Sequence, residues 1–130
     1  MPLLIANLEP TDYSPKARET LQAIGRINEY DNGLPLETFL QDADVLISRL
    51  GYRIDATVIN AAPNLSTVVC ATTGLNHVDV ELLDDREIKL ISLKGETQFL
   101  SSITATAELH WGLLISLVRN LQSACLSVSE

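Results

Sequence analysis

Short apolar runs alternate along this chain with polar turns and with segments whose apolar residues recur at helical spacing, a rhythm that predicts strands and helices in turn. Residues 3–6 make an apolar strand, and the breaker-rich stretch 7–13 turns the chain. Ser14 and Pro15 then read as an N-cap followed by a first-turn proline, with Ala17, Leu21 and Ile24 at helical spacing and Gly25 as the stop. Residues 26–30 alternate as a second strand, and a short helix is expected over 35–41. Residues 43–48 are almost continuously apolar, as in a strand covered on both faces. A helix over 55–61 is closed by Pro63, 65–71 is the fourth strand, and a helix at 78–85 leads into a fifth strand at 89–93.

This order implies an α/β domain with a parallel sheet of about five strands, right-handed crossovers and helices on both faces. Residues 94–102 read as a polar loop, and 103–124 as one long helix. Ala107, Trp111, Leu114, Val118 and Leu121 give that helix an apolar stripe, and Leu109, Leu113, Ile115 and Leu117 make most of the rest apolar too. A helix apolar nearly all round is expected to be buried on nearly all sides. The chain is therefore expected to be part of something larger, or to pair with a second copy, with the helix as the contact.

The central stretch is TVVCATTGLNHVD, residues 67–79. A β-branched run stops at Thr72, Thr73 and Gly74, and a helical pattern follows, which is the arrangement that places ligands at the carboxyl ends of strands in open α/β sheets. The backbone N–H groups of Thr73, Gly74 and Leu75 are candidates for a small anion-binding concavity. Two readings of the turn are open, this one and a plain β-to-α turn that needs glycine for its backbone. Arg49, at the end of the neighbouring strand, either pairs with an anion in the same crevice or is a solvated strand-end residue. Arg53 reads as a surface residue, and His77 either acts as an acid or base or, as most histidines at such places do, caps a helix or faces solvent. Glu108 and His110 lie on different faces of the long helix and cannot act as a pair across one turn.

Composition changes the picture mainly by exclusion. The net charge of −8 among 130 residues argues against nucleic acid or an anionic membrane as the main partner. No run is long and uncharged enough to span a bilayer, and the first residues lack a basic n-region, so a cytoplasmic location is expected. Cys70 and Cys125 match no metal-ligand spacing or disulfide framework, and no metal site is expected. The six glycines stand at 25, 33, 51, 74, 95 and 112, so neither a dinucleotide fingerprint nor a P-loop is present.

Three spaced blocks resemble the N-terminal, substrate-binding domain of the NAD-dependent D-2-hydroxyacid dehydrogenases, the family that includes D-3-phosphoglycerate dehydrogenase. They are ISRLGYRID at 47–55, APNLSTVVCATTGLNHVDVELL at 62–83, and LISLKGETQFLSSITATAELHWGLLISLVRNL at 90–121. The resemblance implies a flavodoxin-like fold, with a substrate-binding part at 1–102 and an inter-domain helix and tail at 103–130. It implies that the amides of Thr73, Gly74 and Leu75 receive the carboxylate of a small 2-hydroxy or 2-keto acid, with Arg49 near its distal group. It implies too that Ser102 lines the site and that Thr106, Ala107 and Glu108 stand at the cleft near NAD. Ser102 replaces an asparagine found in many members, and Leu109 a histidine. The family's catalytic Arg, Glu and His have no counterpart here, so no catalytic residue is assigned, the isolated chain is expected to be inactive, and a homodimer is expected. The alternative is a stand-alone, non-catalytic module of the same fold that binds a small carboxylate or a protein partner. A reading frame that continues into a glycine fingerprint would separate the two.

Overall fold

The computed structural model describes residues 2–128. The chain divides between Gly95 and Glu96 into two compact units. The first unit contains β1 (Leu3–Asn7), α1 (Pro15–Ile24), β2 (Gly25–Glu29), α2 (Leu36–Leu40), β3 (Val45–Ser48), α3 (Ala56–Ala61), β4 (Thr67–Cys70), α4 (Val80–Asp85) and β5 (Lys89–Ser92).

The five strands form one parallel sheet in the order β2-β1-β3-β4-β5. That is the flavodoxin-like order, with its topological switch point between β1 and β3. Burial follows position in the sheet. Ile5, Ala6 and Asn7 on β1 and Leu46, Ile47 and Ser48 on β3 are buried in succession, which requires cover on both faces, whereas the edge strands β2 and β5 bury no residue completely. The core joins Leu46 and Val68 to Phe39 and Leu40 of α2, Val58 and Ile59 of α3, and Leu83 of α4. Tyr30 extends it with a tilted ring contact to Phe39 at 4.8 Å and an edge contact to Tyr52 at 6.1 Å.

Side chains cap the starts of α1, α3 and α4, the first at Ser14 as expected. Ser14 Oγ accepts from Ala17 N–H at 3.2 Å, Asp55 Oδ1 from Thr57 N–H at 2.9 Å, and Asp79 Oδ1 from Leu82 N–H at 3.1 Å. Gly25 both stops α1 and opens β2. A Cβ at this position would lie 2.3 Å from the Leu3 carbonyl oxygen, so close strand approach, rather than an unusual φ, requires glycine.

The second unit departs from the sequence reading in two places. The stretch expected to be a polar loop contains a short helix, α5 (Thr97–Leu100), which follows Gly95 at φ +90°. The single helix expected over 103–124 is two, α6 (Ala105–Val118) and α7 (Leu121–Val128). Asn120 breaks them by adopting φ +50°, a left-handed conformation that asparagine tolerates well, and its N–H bonds the Leu117 carbonyl at 3.2 Å. In the single chain no residue of α6 or α7 is buried and Trp111 is 65% exposed, so the apolar surface expected of this stretch lies open. Among the described residues no helix is long and apolar enough to cross a membrane.

Candidate functional site

The turn after β4 is built from the core outward. Val68 and Cys70 are fully buried and fix the strand, and Leu75 packs back against the core, so the chain between them must loop outward. Thr72 Oγ donates to the Gly74 carbonyl at 2.9 Å, and the Thr72 carbonyl accepts from Leu93 N–H at 3.1 Å. Among the described residues, the N–H groups of Thr73, Gly74 and Leu75 donate to no protein acceptor. Thr73 and Gly74 are exposed. Gly74 does not have a positive φ, and a Cβ there would meet nothing within 4 Å. Neither backbone strain nor crowding explains this glycine. What it provides is open space beside three unused donors.

The turn is tied to the loop that follows β3. Ile54 N–H bonds the His77 carbonyl at 2.7 Å, Asp79 N–H bonds the Ile54 carbonyl at 2.9 Å, and Ile54 and Val78 form a parallel bridge. Ile54 is fully buried, so a core residue holds the two loops together. Outside this bridge, Arg53, Asp55, Asn76, Asp79 and Glu81 line an open depression of about 430 Å³. Arg53 is at the surface, as expected from sequence. His77 is half-buried, with Nε2 3.9 Å from the Cys70 thiol, whose pKa is pushed up by burial and further by the negative charge of Glu9.

Arg49 lies one residue beyond Ser48, which pairs with Cys70 across β3 and β4, so it emerges beside the turn as expected. It does not face an open crevice. Glu9, from the loop after β1, covers it: Glu9 Oε2 accepts from the Arg49 backbone N–H and from Ser48 Oγ at 3.1 Å, and Oε1 accepts from Gly51 N–H at 3.0 Å. Arg49 Nε lies 3.9 Å from the same carboxylate, and Nη2 donates to Thr11 Oγ1 at 3.0 Å. Burial alone would raise the Glu9 pKa. The Arg49 and Gly51 amides, the Ser48 hydroxyl and the Arg49 charge outweigh it and hold the carboxyl below its ordinary value. Tyr13 in the same loop has its phenol pushed up, chiefly by burial.

Glu9, Ser48 and Gly51 were not identified from sequence. Their partnership spans about forty residues and depends on β1 and β3 being neighbours, which only the strand order reveals.

The remaining candidates belong to the second unit. Ser102 Oγ donates to the Phe99 carbonyl at 2.7 Å, finishing α5. Glu108 Oε1 accepts from Thr104 Oγ1 at 2.5 Å, and the Thr106 carbonyl accepts from His110 Nδ1–H at 2.7 Å. Glu108 and His110 therefore serve separate local contacts. Arg49 and the turn of Thr73, Gly74 and Leu75 share the first unit; Ser102, Thr106 and Glu108 share the second.

Residues 4–109 match the family model for the D-isomer specific 2-hydroxyacid dehydrogenase catalytic domain. The chain is 37% identical to erythronate-4-phosphate dehydrogenase of Aeromonas hydrophila over 102 residues, covering 74% of this chain and 27% of that protein. It is 30% identical to D-3-phosphoglycerate dehydrogenase of Methanocaldococcus jannaschii over 117 residues, covering 88% and 21%. Its fold is similar to that of D-lactate dehydrogenase from Aquifex aeolicus, whose crystal structure is a complex with NAD and lactic acid. The TM-score is 0.74 at 16% identity, covering 97% of this chain and 37% of that one. The chain thus spans about a quarter of the length of these curated relatives.

Proposed function

The chain belongs to the D-isomer specific 2-hydroxyacid dehydrogenase family, and from that premise we propose that it supplies the substrate-binding part of an oxidoreductase acting on a small 2-hydroxy or 2-keto acid with NAD(H). The observation that carries this reading is the run of unused N–H donors at Thr73, Gly74 and Leu75 beside the open side of Gly74. Backbone amides at the end of a parallel strand are fixed partial positive charges, suited to a carboxylate and indifferent to the rest of the acid. Binding there fixes the carboxyl end of the substrate and, through it, the neighbouring C2 carbon.

When bound, NAD(H) supplies or accepts the hydride. The residues of this chain do not by themselves fit a whole dinucleotide, since α6 opens without a glycine turn to hold its phosphates. The chain's role is to bind and orient the acid, with Thr106 and Glu108 at the edge of the cofactor and Ser102 at the edge of the substrate. The division at 1–102 and 103–130 belongs to the same reading. So do a cytoplasmic location, which suits a buried Cys70 thiol, and a homodimer through the apolar α6.

Residue-resolved NMR of the 130-residue chain with pyruvate tests the reading. Saturable shifts of the Thr73, Gly74 and Leu75 amides are expected, with no turnover of pyruvate by NADH. Unmoved amides at these three positions would sink it.

A further inference from the structure

The ends of β3 and β4 lie side by side, and both present backbone donors. At β3 the donors are already taken, by a carboxylate from the chain itself. Glu9 reaches across from the β1 loop at the topological switch point, where open α/β sheets place ligands. Its two oxygens take the Arg49 and Gly51 amides and the Ser48 hydroxyl, while the Arg49 guanidinium turns to Thr11 Oγ1 and to the Glu9 carbonyl at 3.4 Å. Only 17% of the Glu9 side chain is exposed. Gly51 is matched to this arrangement, since a Cβ there would stand 2.9 Å from Oε1.

We propose that Glu9 is a specificity-determining residue: its carboxylate occupies the anion position beside Arg49 and restricts the substrate to acids whose far end carries no phosphate or second carboxylate. The inference rests on the substrate-binding reading above and deepens it. An arginine at a strand end beside free amides is a ready receptor for an anionic group. Here its charge is balanced and its neighbouring amides are satisfied, so an incoming phosphate meets a fixed negative charge, and Arg49 Nε, which has no hydrogen bond among the described residues, is buried 3.9 Å from that same carboxylate. Such like-charge juxtaposition is a strong means of rejecting a wrong ligand. The unfilled donors at Thr73, Gly74 and Leu75 remain for the one carboxylate that every substrate of this class has in common.

The test is titration of the full 130-residue chain with inorganic phosphate, read at the Ser48, Arg49 and Gly51 amides by NMR, for the native protein and for Glu9→Gln. Glu9→Gln keeps the size of the side chain and removes its charge. The native chain is expected to show no saturable phosphate shift at these amides in the millimolar range, and Glu9→Gln to bind at least about tenfold more tightly. Saturation of the native chain within threefold of the variant would overturn the proposal, and so would a folded variant that gains nothing. If Glu9→Gln does not fold, Glu9→Ala, which also removes the charge, is read by the same criteria. The pyruvate shifts at Thr73, Gly74 and Leu75 report separately on the underlying reading. Their loss with the phosphate gain intact would sink that reading and leave Glu9 as the occupant of an anion position.

Discussion

Two adjacent strand ends in one sheet offer similar chemistry and use it in opposite ways. After β3, the donors of Ser48, Arg49 and Gly51 are satisfied by Glu9, and glycine is needed to make room for that carboxylate. After β4, the donors of Thr73, Gly74 and Leu75 have no protein acceptor among the described residues, and glycine faces open space. A strand end is therefore not a site merely because its amides point outward. What distinguishes a site is whether the fold has already supplied the counter-charge.

The most forceful way to break this contrast is to remove the residue that holds both ends together. Ile54→Ala should cost about 2–5 kcal/mol, because a fully buried side chain is lost from the bridge between the two loops. Urea denaturation measures the cost, and amide exchange should quicken at Ile54 and Asp79. A milder disturbance is Asp79→Ala, which removes the cap on Leu82 N–H just after the open turn and should lower stability by about 1 kcal/mol. A destabilisation confined to α4, seen by hydrogen exchange, would show that the turn does not depend on the helix behind it.

Acidity probes the filled end alone. The Glu9 pKa is depressed in the folded chain, so the unfolded state binds its proton first as pH falls. The stability this group contributes is complete above the ordinary glutamate value and is lost as pH drops through the lower, folded value. Thermal melts should show a shallower acid-side decline for Glu9→Gln than for the native chain. The smallest effect on stability is expected for Gly74→Ala, within about 0.5 kcal/mol, since neither φ nor any neighbour opposes a methyl group there. The same substitution should weaken pyruvate binding measurably, because the methyl group enters the space beside the free amides. Full retention of binding would mean that the open side of Gly74 is not where the ligand lies.

What could be read from the sequence was whatever a run of neighbouring residues decides. The apolar TVVC segment ending in a polar glycine turn located β4 and its loop, and Ser14 marked a helix start because capping is a local bond. The helix over 97–100 was missed because it is one turn long, lacks a side-chain cap and carries no apolar period. The break at Asn120 was missed because a single polar residue inside an apolar run gives no pattern, only a permissive φ. Arg49 was placed correctly at its strand end, but its partner was not found. The Glu9 contact closes across β1 and β3, and nothing near either residue in the chain records that neighbourhood.

The bridge between Ile54 and Val78 also bears on rates. Two loops pinned to each other through a buried residue cannot swing apart separately, and the Leu75 side chain is anchored in the core, so the three free amides are held in place before any ligand arrives. A carboxylate reaching them has no loop to wait for and little to reorder. Its arrival should be governed by diffusion and its residence by contact strength alone, which predicts fast exchange for a carboxylate at the turn.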